Sequence, residues 1–245
     1  IYTNKKCGLI NEEGEKVSKA VYDDFVDFDR KNGIYRSILN GKSGLMNYNG
    51  KILIPAKFEL IEQNPNSNYC IVKNHSYKGL YDIKKARAIA GAIYNDITPF
   101  DNHNWRVVAS KKVGVIHYRK GKVILIKPKY VDVVMIDGYL KTFSGNKFGI
   151  INLNNGDVIA EPKYDGIDLI NVGEALTKGV YIFKIKLDDR YGLIFYSQKS
   201  SLVIPPIYTF VSYNKGLVKV ISNGNVQYLD EKGNIVTDKK KIENE

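Results

Sequence analysis

Hydrophobic and polar positions alternate along this chain in short runs, four to a group, and the group recurs. In residues 7–40 the runs are Gly8 to Asn11, Glu15 to Ala20, Tyr22 to Phe28 and Ile34 to Leu39. Each is of strand length and is bounded by polar residues. The segment Asn11 Glu12 Glu13 Gly14 has Asn at the first turn position and Gly at the fourth, which predicts a type I turn closing a hairpin. It returns as Asn47 Tyr48 Asn49 Gly50 and as Asp230 Glu231 Lys232 Gly233. No group carries an apolar stripe of helical period and normal helix length, so an almost purely β protein is expected.

The period is written in glycine. Gly8, Gly44, Gly79, Gly114, Gly149 and Gly192 are separated by steps of 36, 35, 35, 35 and 43 residues. Each leads an apolar pair, from Leu9 Ile10 to Leu193 Ile194. An aromatic residue follows 14 to 16 positions later: Tyr22, Phe58, Tyr94, Tyr130, Tyr164 and Tyr208. Copies therefore start near residues 7, 43, 78, 113, 148 and 191, with a partial copy at 226, and residues 1–236 read as one repeat domain. Residues 237–245 read as a charged, frayed tail.

Proline precedes the aromatic at Pro55, Pro128, Pro162 and Pro205 Pro206, and is expected to mark a corner between the second and third strands. Lys84 to Ile93 is rich in alanine and resembles a helix, but the unchanged period assigns it to the second strand, with a single helical turn as the alternative. The long step in copy five adds eight residues within Leu176 to Arg190, enough to lengthen two adjacent strands by four each into a protruding hairpin. We take that hairpin as a candidate contact for a partner, beside the plain alternative of a neutral loop expansion.

Four strands per copy suit a compact propeller blade and also an open β-solenoid or hairpin array. Residues 1–5 align with a fourth strand, while residues 226–236 supply a first and second. This favours a closed propeller of about seven blades, its last blade built from both termini.

Composition narrows the function little. The net charge of +11 comes from lysines spread through all copies, not from a block, and no helical basic stripe or nucleic-acid motif accompanies it. Nucleic acid is thus a disfavoured partner. No apolar run is long enough to span a membrane and no signal peptide is present, although the chain begins at Ile1 and reads as trimmed or processed. Localisation stays open, with the cell envelope as one expectation. Cys7 and Cys70 occupy different repeat positions and define neither a disulfide framework nor a metal site. Asn74 His75 Ser76 is the one glycosylation sequon.

The arrangement of an aromatic before Gly, a short hairpin with Gly at its tip, Pro, Lys, Tyr, and a further Gly with apolar alternation resembles the WG repeat family of bacterial proteins. Phe148 Gly149 through Pro162 Lys163 Tyr164, and Tyr191 Gly192 through Pro206 Ile207 Tyr208, carry the likeness best. The family's Trp is replaced throughout, by Cys7, Ser43, Lys78, Val113, Phe148 and Tyr191. The resemblance implies a repeat that mediates interactions and lends no catalytic residue.

His117 falls in the slot held elsewhere by Asn11, Asn47, Asp82, Asn152 and Asp230, which reads as a turn. His75 and His103 fall in loops without a partner at metal-ligand spacing. Asp23, Asp24, Asp27 and Asp29, echoed by Asp96, Asp101, Asp132, Asp137, Asp165 and Asp168, read as turn caps in preference to a calcium loop. Trp105 and the six recurrent aromatics read as core. No catalytic, cofactor or metal residue is assigned. The expectation is a noncatalytic, protein-binding or scaffolding module; the alternatives are a module for cell-envelope carbohydrate and an enzyme with its site at a propeller mouth.

Overall fold

In the computed structural model, residues 2–3, 5–64, 67–170 and 179–238 are described. They are all-β apart from one 3-10 turn at Arg30–Asn32. The chain divides into two compact units, residues 1–129 and 130–245, and the boundary falls at the end of a strand, not in a linker.

The first unit opens with β1 (Tyr2–Thr3) paired to β2 (Lys6–Cys7). Three four-stranded sheets follow. Sheet I holds β3 (Asp24–Asp29), β4 (Ile34–Leu39), β5 (Lys42–Asn47) and β6 (Ile52–Phe58). Sheet II holds β7 (Leu60–Gln63), β8 (Tyr69–Asn74), β9 (Tyr77–Asp82) and β10 (Arg87–Tyr94). Sheet III holds β11 (Asp96–Pro99), β12 (Asn104–Ala109), β13 (Lys112–Arg119) and β14 (Lys122–Tyr130). In the second unit, sheet IV holds β15 (Asp132–Ile136), β16 (Tyr139–Ser144), β17 (Lys147–Asn152) and β18 (Val158–Tyr164). Sheet V holds β19 (Gly166–Leu169), β20 (Val180–Leu187), β21 (Arg190–Ser197) and β22 (Ser201–Tyr208). Sheet VI holds β23 (Phe210–Asn214), β24 (Leu217–Ser222) and β25 (Asn225–Leu229). Sheets I to V are four-stranded antiparallel meanders, the strand content and order of a propeller blade, and sheet VI is a three-stranded one.

The sequence copy and the sheet are out of phase by half. Each sheet takes the third and fourth strands of one copy and the first and second of the next, so covalent repeats interlock with hydrogen-bonded ones. The partial copy at 226 follows the same rule. Its β25 pairs with β24, and Leu229 bridges Ile235, so it completes the sheet begun by copy six.

The repeat glycine and the proline of copies two, four, five and six are one device. In sheet I, Ser43 faces Phe58 and Leu45 faces Ile54, so two steps on β5 oppose four on β6. The same offset brackets Gly79, Gly149 and Gly192 in sheets II, IV and V. The bulged strand lies directly over the glycine: a Cβ on Gly44 would stand 2.6 Å from the Ile54 oxygen, and one on Gly114 2.3 Å from the Ile126 oxygen. Only glycine admits that approach. Pro55, Pro128, Pro162, Pro205 and Pro206 sit inside β6, β14, β18 and β22. This corrects the expected corner: the second strand runs through the proline to the aromatic, because a bulge leaves residues outside the ladder, where a missing N–H costs nothing. Lys84 to Ile93 follows the period, since β10 is a strand, with Gly91 in the bulge.

Phe58, Tyr94, Tyr130, Tyr164 and Tyr208 close the second strands; in copy one the expected strand Glu15 to Ala20 does not form and Tyr22 makes an isolated bridge to Cys7, but all six aromatics are buried, as their recurrence suggested. Phe58 packs with Ile61, Cys70, Val72 and Tyr81 of sheet II, and Tyr94 with Ile97, Trp105, Val107 and Ile116 of sheet III. In the second unit Tyr164 packs with Ile167, Phe183 and Ile185 of sheet V, and Tyr208 with Val211, Val218 and Val220 of sheet VI. The core is thus a series of intersheet layers. The predicted turns form as read: the glycine N–H of Gly14, Gly50 and Gly233 donates to the oxygen of Asn11, Asn47 and Asp230 at 3.1, 2.9 and 3.0 Å.

The copy-five insertion falls before Ile182. β20 has 8 residues against 6 in β16, and residues 171–178, where most of the added length falls, lie outside the described residues. Residues 176–178 of the expected hairpin, like residues 239–245 of the tail, lie outside the described residues.

Candidate binding cleft

The site is built at the strand ends where the turns between first and second strands meet those between third and fourth. The third residue after the repeat glycine ends the first strand at Asn47, Asp82 and Asn152, while β13 runs two residues past His117. Asn47 lies across from Ile34, Asp82 from Tyr69, His117 from Asn104 and Asn152 from Tyr139. The next residue makes the same backbone bond in four copies: Tyr48, Ile83, Tyr118 and Leu153 donate to the oxygens of Gly33, Asn68, His103 and Gly138 at 2.9, 2.8, 2.8 and 3.1 Å. These residues are therefore structurally equivalent.

Where that second residue is tyrosine, it can bridge to the preceding sheet. Tyr118 on sheet III donates its hydroxyl to Asp82 Oδ2 on sheet II at 3.0 Å. Lys85 crosses the same ring, its Nζ 5.2 Å from the centroid and 3.2 Å from the hydroxyl. In the second unit, Asn152 Nδ2 donates to the Tyr196 hydroxyl at 3.1 Å. A buried polar group at one sheet's end is satisfied by a phenol from the next, which removes a desolvation cost of about 1–3 kcal/mol.

Between sheets I and II the bridge is missing. Asn47 stands in the polar slot, but the tyrosine position is Ile83, and a cavity of ≈ 360 Å³ opens between them. Its walls carry Asn47, Asn32, Asn68, Lys51 and Lys84, its apolar side Ile34, Leu53 and Ile83. Asp29 also borders it, with its carboxylate accepting from the Asn32 backbone and side-chain amides at 3.2 and 2.8 Å. Asn47 Oδ1 is engaged by the Lys51 N–H at 2.9 Å. Among the described residues Lys51 and Lys84 form no ion pair. The cleft thus offers ammonium and amide donors over an apolar wall, the ordinary make-up of a small ligand pocket.

The residues singled out from the sequence serve elsewhere. His117 is not in a turn: β13 runs on to Arg119, and the imidazole is buried with Nδ1 2.8 Å from Asn104 Oδ1. Burial first, then the positive groups His103 and Arg119, hold its pKa below the ordinary value, against the opposing pull of Asp101. His75 lies exposed in the turn before β9, with Nε2 3.7 Å from Glu59. His103 precedes β12, its N–H donated to Asp101 at 2.7 Å.

The acidic residues cap turns and pair with lysines. Asp23 pairs with Lys6 and accepts from the Gly41 N–H; Asp165 pairs with Lys147 at 2.6 Å and accepts from the Asp188 N–H. The Lys6 and Lys147 hydrogen bonds, first, hold the two carboxyls below the usual range. Asp96 pairs with Lys78 at 2.5 Å and Asp168 with Lys141 at 3.7 Å. Asp24 accepts from the Phe25 N–H, Asp101 holds its own loop, and Asp137 occupies a left-handed turn position. Asp27 and Asp132 lie in strand register opposite Tyr35 and Phe143. Among the described residues no three His, Cys, Asp or Glu side chains stand close enough to share a metal ion. Cys7 and Cys70 are free thiols buried in separate core layers, and burial pushes Cys70 up to about 12. Trp105 is core, edge-on to Tyr69 at 4.9 Å.

The cleft residues Asn47, Lys51, Ile83 and Lys84 escaped the sequence reading. Their signal lies in the column after the polar slot, where Ile83 and Leu153 stand among Tyr48, Tyr118 and Tyr196.

Solved structures with some likeness include Kluyveromyces lactis Hsv2, at 10% identity and TM-score 0.28 over 86% of this chain and 77% of that one. The AfRom2 CNH domain follows at 9% and 0.28 over 88% and 83%. The N-terminal domain of Nup159 stands at 9% and 0.27 over 88% and 75%. Superpositions this loose add nothing to what the sheets themselves show. No curated protein matches the chain. The model of the WG containing repeat matches residues 8–42, 44–77 and 148–173, which are copies one, two and five of the period found above. Those three stretches of the chain carry the WG containing repeat.

Proposed function

We propose that this protein is a noncatalytic interaction module, binding a protein partner by complementarity of a rigid β surface. The observation that carries this reading is the cleft between sheets I and II. His117 and aspartates such as Asp23, Asp101 and Asp165 are occupied in holding turns and strands, while Lys51 and Lys84 stand unpaired around an open, partly apolar cavity. Unpaired lysines over a preformed pocket suit recognition of an acidic surface, and the net charge of +11 favours its approach. The test is affinity capture from the native source by the wild type and by a Lys51→Glu/Lys84→Glu variant, with partners identified by mass spectrometry. A partner held by the wild type and released by the variant supports the reading. Equal capture by both moves the interaction surface elsewhere, and glycan-array binding without protein capture replaces the protein partner with carbohydrate.

A further inference from the structure

We propose that the cleft between sheets I and II receives a tyrosine side chain from an acidic segment of the partner, which enters where the chain's own repeat places Ile83. This rests on the interaction reading above and names the occupant.

The chain itself supplies the template. One sheet further on, Tyr118 fills the equivalent intersheet space, its hydroxyl on Asp82 and a lysine, Lys85, across its ring. In the other unit Tyr196 does the same toward Asn152. The cleft retains the receiving half of this arrangement. Asn47 occupies the slot of Asp82 and Asn152, and Lys51 follows it at four residues where Lys85 follows Asp82 at three. What is absent is the ring. Ile83, held by the same backbone bond as Tyr118, has no polar end to reach Asn47.

An incoming phenol would meet apolar walls from Ile34, Leu53 and Ile83, the Asn47 amide for its hydroxyl as Asn152 serves Tyr196, and a lysine for its face as Lys85 serves Tyr118. Acidic residues on either side of it meet Lys51 and Lys84. Asp29 does not oppose them strongly, since its oxygens are already engaged by Asn32.

A synthetic peptide, acetyl-Glu-Asp-Tyr-Asp-Glu-amide carrying a fluorophore, is the probe, titrated against the full chain by fluorescence anisotropy. The expected result is saturable binding that weakens at least 10-fold when the peptide tyrosine is replaced by alanine and about 3-fold when it is replaced by phenylalanine. Ile83→Tyr, which fills the cleft with the chain's own phenol, is expected to abolish peptide binding and raise the Tm. Should Ile83→Tyr fold poorly, Asn47→Leu at the slot supplies the second variant and is expected to erase the preference for tyrosine over phenylalanine. Peptides that bind equally whatever stands at the central position, or an Ile83→Tyr chain that folds and binds as the wild type does, would overturn the assignment. The interaction reading survives that outcome if the partner captured in the previous experiment is still retained by Ile83→Tyr, and falls only if no partner is captured at all.

Discussion

Two neighbouring intersheet layers of the first unit have the same backbone and opposite contents. Between sheets II and III, Tyr118, Asp82 and Lys85 form a closed polar bridge beside the packed Tyr69 and Trp105. Between sheets I and II the equivalent positions are Ile83 and Asn47, and a cavity remains. The glycine, the bulge, the buried aromatic and the backbone bond of the bridging residue are common to both. The repeat therefore separates two tasks. Its glycine and aromatic columns hold the sheets, and the column after the polar slot decides whether a layer is sealed or open.

Four experiments would break or sharpen that contrast. The largest effect is expected from truncating the two bridging residues. Tyr118→Ala should cost about 3–5 kcal/mol in chemical denaturation, because it empties a buried site and strips Asp82 of its hydroxyl donor; Ile83→Ala should fall near the low end for such a change, about 2 kcal/mol, beside a space already open. Equal losses would mean that both layers are packed alike.

Next come Gly44→Ala and Gly79→Ala. Each Cβ would meet the backbone of its own bulged strand, at 2.6 and 2.8 Å, so each should cost about 2–3 kcal/mol. Here the two layers should behave the same. A tolerated alanine at either position would show that the bulge does not require its glycine.

Tyr118→Phe isolates the hydroxyl. With the ring kept, a loss of about 1–2 kcal/mol is expected from the buried Asp82, read from the urea midpoint. No loss would remove the polar bridge as the feature that distinguishes the sealed layer.

The smallest effect concerns pH. His117 is held neutral by burial, with its pKa below the unfolded value of about 6.5, so the unfolded chain binds the proton first. Its contribution to stability is present above pH of about 6.5 and is lost as pH falls from there toward the folded pKa. His117→Gln should flatten the stability profile across that window, measured by thermal melts at stepped pH. An unchanged slope would mean that the imidazole, despite its burial, protonates in the fold.

The copy-five insertion shows how a count of residues can mislead about their place. The step of 43 predicts two adjacent strands lengthened by four residues each into a protruding hairpin. Among the described residues β20 exceeds β16 by two at the slot end, while the turn at Asp188 and Asp189 keeps its cap from Asp165. Sequence length counts residues between two landmarks, but which end of a hairpin accepts them depends on which end already has its hydrogen bonds filled.

The strand content, the period, the asparagine and glycine turns and the buried aromatics were all legible in the chain alone. They rest on local rules: alternation with period two, the left-handed backbone of Gly14 and Gly50, and the repetition of one core position in every copy. Tertiary structure alone decided the half-copy offset of the sheets, the placing of proline inside a bulge, and the fate of Asn47 and Ile83. Those depend on which strands pair and on what the neighbouring sheet sends into the space. A polar residue at a strand end looks the same in sequence whether a phenol from the next sheet covers it, as for Asp82, or nothing does, as for Asn47, because the partner lies some 36 residues away and is chosen by packing.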